Sequence, residues 1–126
     1  MFLYPPEAAP SVLRQFEKLS VGDAAISVIT DGELFYGTEH GPAERRQANR
    51  RLRAELIDLM PVLPMPYAVG EAYGLLREAL ERGGQMIGNN DLWIAAHAKA
   101  EGLILITNNE REFKRVSGLR IESWVG

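Results

Sequence analysis

Apolar residues along this chain recur with two different periods, and the alternation between them predicts its architecture. Over 9–23 the apolar positions Val12, Leu13, Phe16 and Leu19 follow helical spacing, and Gly22 closes the segment. "AAISVIT" (24–30) is instead a near-continuous apolar run of strand length, as expected of a strand covered on both faces. A helix is expected from about Asp31 to Gly37, and a longer one over 42–60 with Ala48, Leu52, Leu56 and Leu59 on its core face. "PVLPM" (61–65) is a short strand fenced by prolines, which suits a sheet edge. Helical spacing returns over 70–84 through Ala72, Leu75, Leu76, Ala79 and Leu80, ending at Gly83 and Gly84. A further helix covers 89–102, "LILIT" (103–107) is a second buried strand, and "LRIESW" (119–124) a third. Strands alternating with helices predict an α/β fold with a mostly parallel sheet and right-handed crossovers.

Composition narrows the class. At 126 residues the chain is one domain, 1–126, with room for a single core. It has no cysteine, which excludes a disulfide scaffold, a thiolate zinc site and a cysteine nucleophile, and fits a reducing cytoplasm. No apolar run approaches the ~20 residues of a membrane span, and Met1 to Pro10 lacks the pattern of a signal peptide. The net charge of −3 means that any nucleic-acid binding needs a local basic face.

Candidate chemistry gathers at the strand ends, because ligands of open parallel sheets collect beyond the carboxyl ends of the strands. "ISVIT" leads to Asp31 and Glu33, and "LILIT" leads through Thr107 to Asn108 and Asn109. Asp91 opens the helix that feeds "LILIT", which puts it at the same edge of the sheet. Each also has a purely structural reading. Thr30 and Glu33 match a capping box, Asp91 suits a helix N-terminus, and Asn109 suits a turn. Asp31, two residues from Glu33, points elsewhere on a helix and is assigned to solvent or the cap. His97 reads as a packed histidine and His40 as a loop residue. The helix over 42–60 carries Arg46, Arg50 and Arg53 as one stripe, either a solvated face or a phosphate contact beside an acidic site. No glycine-rich phosphate loop, serine-nucleophile signature or His-x-x-x-His pair is present.

Three blocks in order, "AAISVITDGELFYG", "IGNNDLWIAAHA" and "ITNNEREF", resemble the VapC family of PIN-domain toxins, and the likeness runs from about Ser11 to Trp124. It implies a PIN-like three-layer α/β/α fold and a Mg²⁺- or Mn²⁺-dependent endoribonuclease acting on RNA. It also implies a VapB-type antitoxin partner and a homodimer. The family's acid before "LxxG" corresponds to Glu33, and the acid opening the "IAAHA" helix to Asp91. Asn109 takes a further polar position, with Thr107 or Asn109 orienting water or phosphate. Such a set of oxygen donors without His or Cys suits a hard cation.

The family's first strand, ending in an aspartate, finds no match in "MFLYPPEAAPSVL", and Glu7 does not replace that acid. The expected fold is therefore truncated at its N-terminus. The strands matching "ISVIT" and "LILIT" would then pair directly, borrow a strand or leave backbone groups unpaired. Two readings follow: a late start codon, with the missing strand encoded upstream, or a remnant that binds an antitoxin or dimerises without cutting RNA. Loss of one metal-binding acid predicts a poor nuclease.

Overall fold

The computed structural model describes residues 1–4 and 24–123, so the helix expected over 9–23 lies outside the described residues. The elements are β1 (Phe2–Tyr4), β2 (Ile26–Ser27), α1 (Val28–His40), α2 (Ala43–Leu59), β3 (Val62–Leu63), α3 (Ala68–Arg82), α4 (Asn89–Glu101), β4 (Ile104–Ile106), α5 (Glu110–Phe113) and β5 (Ile121–Glu122).

The gap expected in the sheet is filled by the chain's own first residues. β1 pairs antiparallel with β4, Leu3 opposite Leu105. On its other side Leu3 exchanges two backbone hydrogen bonds of 2.8 Å with Ala25, just before β2. β2 pairs in parallel with β3, and β4 with β5. The resulting order is β3-β2-β1-β4-β5, in which only β1 runs against the others. The expectation of a missing central strand is corrected in position though not in direction, and the backbone of β4 is paired on both sides.

β4 shows why "LILIT" reads as continuously apolar. Successive strand side chains point to opposite faces. Leu105 enters one core with Leu3, Val69, Leu76, Leu80 and Leu92, beneath α3 and α4. Ile104 and Ile106 enter a second core with Ile26 and Met60, against which Leu56 and Leu59 of α2 pack. Helices therefore cover both faces, giving the three-layer α/β/α arrangement with a mostly parallel sheet. Among the described residues no helix is long and apolar enough to cross a membrane.

Several boundaries and faces differ from expectation. The run 24–30 is strand only at Ile26–Ser27, and helix from Val28. Ser27 ends the strand because its hydroxyl accepts from the Ile29 N–H at 3.2 Å, capping α1. Thr30 is thus inside the helix and caps nothing. Ser27 also bonds His97 Nδ1 at 3.0 Å, so that histidine is packed in the core, where burial pushes its pKa down. On α2 nothing is fully buried, and Leu52 is 61% exposed; only its last turns reach the sheet. On α3 the buried line is Val69, Leu76 and Leu80, leaving Leu75 67% exposed.

The α1–α2 contact is polar. Arg53 grips Asp31 through two hydrogen bonds of 2.8 Å and lies over the Phe35 ring. Arg50 holds both oxygens of Glu39, and Arg46 reaches the same carboxylate and the Glu39 carbonyl. Asp31, assigned above to solvent or the cap, is therefore an ion-pair partner.

Leu3 is 1% exposed in the middle of the sheet, so Leu3→Ala should lower unfolding free energy by about 2–5 kcal/mol. Urea denaturation reads this directly, and a loss below about 0.5 kcal/mol would mean that β1 does not occupy the sheet.

Candidate active site

The site forms where α1 and α4 begin. Because Ser27 rather than Thr30 caps α1, Glu33 is not part of a capping box and lies exposed in the helix's second turn. Asp91 stands in the first turn of α4, whose N-cap is Gly88. Glu33 and Asp91 line one open cleft with Gly88, Asn89 and Asn90, and the charge of Glu33 acts on Asp91. A second cleft on the other side of Glu33 is bordered by Val28, Ile29, Gly32, Tyr36 and Asn90.

Sequence reasoning missed a third acid, Glu112 on α5. One of its oxygens accepts the Gly88 N–H at 2.8 Å, and the other accepts Asn109 Nδ2 at 2.7 Å. Its carboxylate lies within hydrogen-bonding reach of Asp91. A methyl group placed on Gly88 would lie 3.6 Å from an oxygen of each carboxyl, so both acids border that glycine. The available signal was its position three residues after Asn109, which puts both side chains on one side of a helical turn.

Electrostatics divides the pair. Asp91 is pushed up to about 6 from 3.8, first by burial, then by the hydrogen bond and charge of Glu112 and the charge of Glu33. Glu112 is held below its usual value, chiefly by the Gly88 N–H. As pH falls, the pair therefore takes up its first proton on Asp91. The signs oppose each other. Asp91 gains proton affinity on folding, so its contribution to stability is full below about pH 4 and is lost as pH rises through about 6. Glu112 loses proton affinity, so its contribution is present above about pH 4.5 and is lost as pH falls.

Asn109 and Thr107 are brought to the same edge. The Asn109 amide is engaged by Glu112, and the buried Thr107 hydroxyl accepts the Asn109 N–H at 3.0 Å. Both thus set the turn that presents Glu112. The stripe of Arg46, Arg50 and Arg53 is not brought to the acids; it faces α1, compensated by Glu39 and Asp31. β1, Phe2–Tyr4, has no carboxylate to bring to the acids. The Met1 α-amino group lies there instead, where burial lowers its pKa and Glu33 and Asp91 pull it back up.

Among the described residues no three His, Cys, Asp or Glu side chains gather as a ready-made ion cage. The donor chemistry nonetheless fits a hard cation. Magnesium is commonly held by one or two carboxylates while keeping several waters. Here the charges of Glu112 and Glu33 both raise the proton affinity of Asp91, a repulsion that a bound cation would relieve, and Glu33 lines the same cleft as Asp91.

Comparison with known proteins gives the family. The chain matches the PIN domain family over residues 2–119. It is 38% identical to "Ribonuclease VapC2" of Haemophilus influenzae, over 90% of this chain and 84% of that protein. It is likewise 38% identical to the "tRNA(fMet)-specific endonuclease VapC" of Shigella flexneri, over 91% and 86%. Among solved structures, DNA-bound VapBC from Salmonella typhimurium superposes with a TM-score of 0.81 at 36% identity, covering 94% of this chain and 88% of that one. VapBC2 from Rickettsia felis, bound to a promoter DNA fragment, gives 0.78 at 33% identity, with coverage of 95% and 86%. The fold is that of a PIN domain, and the chain belongs to the VapC family.

The divided pair can be tested by carboxyl-carbon NMR. Asp91 should titrate near 6, and Glu112→Gln should lower that value by removing a neighbouring charge. An Asp91 that titrates with ordinary aspartates near 4 in the unsubstituted protein contradicts this assignment.

Proposed function

We propose that this chain is a metal-dependent endoribonuclease, the toxin of a VapBC-type toxin–antitoxin pair, which hydrolyses RNA phosphodiester bonds. The observation that carries the proposal is that Glu33 and Asp91 line one cleft at the carboxyl edge of the sheet, with Glu112 acting on Asp91 from α5. The names of the relatives at 38% identity supply the reaction class.

In this reading Glu33 and Asp91 hold Mg²⁺ or Mn²⁺, with Glu112 as a third donor or as the base that keeps Asp91 in place. When bound, such an ion supplies an acidified water and neutralises charge on a phosphate. The chain's own groups do the positioning. Gly88 N–H and Asn109 Nδ2 fix Glu112, and Thr107 fixes Asn109. Asn90, exposed and bordering both clefts, is placed to meet a phosphate or base edge. Contact between RNA and Arg46, Arg50 or Arg53 would have to displace Glu39 or Asp31, so those arginines are assigned to the α1–α2 clamp.

A VapB-type antitoxin belongs to the same proposal. Val28 and Tyr36 expose apolar surface at the cleft beside Glu33, which suits an apolar partner segment. A homodimer is included, as is common in the family.

A second reading rests on β1, Phe2–Tyr4, which has no carboxylate to add to the acids. Removing one metal-binding acid costs at least the about 10–100-fold typical of supporting residues. This chain would then be a weak nuclease, and its residual role would be to bind antitoxin or to dimerise.

RNA cleavage with Mg²⁺ or Mn²⁺ separates the two. The nuclease reading expects cleavage that stops on chelation and falls about 10–100-fold or more in Glu33→Gln and in Asp91→Asn. Cleavage unchanged by both substitutions refutes it. Absence of cleavage together with micromolar or tighter binding of an antitoxin segment establishes the second reading.

A further inference from the structure

Helix α4 begins without a side-chain cap, since its N-cap is Gly88, yet its first turn carries Asp91. An uncapped first turn has unsatisfied N–H groups and frays readily. In this protein the turn is tied down from outside. The Tyr73 hydroxyl on α3 lies 2.6 Å from Asn89 Oδ1, the first residue of α4. The same hydroxyl accepts from Arg77 Nη1 at 3.0 Å, and Arg77 Nε donates to Glu81 Oε1 at 2.8 Å. The Tyr73 ring is stacked on Trp93 of α4, with centroids 3.8 Å apart and planes within 12°.

The direction of this relay is determined by its members. A guanidinium can only donate, so the phenol oxygen must accept from Arg77 and give its one proton to Asn89. A phenol polarised by a cation is the stronger donor. The Trp93 stack holds the ring so that the hydroxyl cannot swing to water without breaking an aromatic contact.

We propose that Tyr73 is a positioning residue, which clamps the Gly88–Asp91 turn through Asn89 and so sets where Asp91 meets Glu112. Two external ties hold that turn: Glu112 takes the Gly88 N–H, and Tyr73 takes the Asn89 side chain. Loss of the second leaves the acidic tie alone to resist the repulsion between carboxylates. Arg77 acts one step further back, by polarising and aiming the phenol. The part of this inference that concerns a cation rests on the metal-dependent reading above; the part that concerns the turn does not.

The decisive variant is Tyr73→Phe, which keeps the stack on Trp93 and removes only the hydroxyl. Amide hydrogen exchange without metal reads the clamp. The Leu92 N–H bonds the Gly88 carbonyl at 2.8 Å and closes the first turn, whereas the Leu103 N–H bonds Ala98 at the far end. Exchange at Leu92 should quicken about tenfold while that at Leu103 stays unchanged. In the same variant the Kd for Mn²⁺, read by calorimetry, should rise about three- to tenfold, and KM for RNA should not move. Arg77→Met, which leaves the ring in place, should shift Leu92 exchange in the same direction by less. Leu92 exchange within twofold of the unsubstituted protein in Tyr73→Phe overturns the inference. So does acceleration that is equal at Leu103, because it would report general loosening. If the unsubstituted protein takes up no Mn²⁺, the metal-dependent reading falls, and Leu92 exchange still decides the clamp.

Discussion

Two carboxyl groups that would repel each other in water are held together at the mouth of α4, and the rest of the site is arranged around that constraint. A backbone N–H and an asparagine amide favour the ionised form of Glu112, while burial and the neighbouring charges raise the proton affinity of Asp91. Neither acid achieves this alone. Glu112 comes from a short helix after β4, Asp91 from the helix before it, and only the sheet edge lets the two approach. Glu33 then adds its charge from α1, on the far side of the same cleft. Such an arrangement raises the free energy of the acid cluster without a cation, and lowers it when a cation or a proton is present.

The scaffold that enforces this is a sheet buried on both faces. β4 sends Leu105 to one core and Ile104 and Ile106 to the other, so its carboxyl end is fixed with little freedom to tilt. Ser27 ties the start of α1 to His97 in the middle of α4, linking the two helices that carry Glu33 and Asp91. The polar clamp between α1 and α2 stabilises the outer side of α1, where apolar burial is scarce.

Much of this was legible in the sequence, and the failures have physical causes. That Glu33 and Asp91 share one cleft could be expected because strand ends and helix starts share one edge of a parallel sheet, whatever the intervening length. The helix start at Val28 was hidden because β-branched residues continue across it, and a Ser within an apolar run does not announce itself as a cap. β1 was missed because three residues before a proline pair carry no period, and their role depends on two strands that need a partner between them. Glu112 was passed over in favour of Asn109 because both lie near the turn; only the approach of Gly88 from another element distinguishes the acid from its support. The arginine stripe was read correctly as a stripe, but its partners, Asp31 and Glu39, are set by the packing angle of two helices, which no local pattern encodes.

The central proposal is that side chains from α1 and α4 share a divalent cation, with α5 in support. Titration of ¹⁵N-labelled protein with substoichiometric Mn²⁺ tests it most directly, because paramagnetic broadening falls steeply with distance from the ion. The account predicts that the amides of Glu33, Gly88, Asp91 and Glu112 broaden first and together. Broadening centred on other acids, such as Glu78 and Glu81 on α3, with those four amides left sharp, would contradict it.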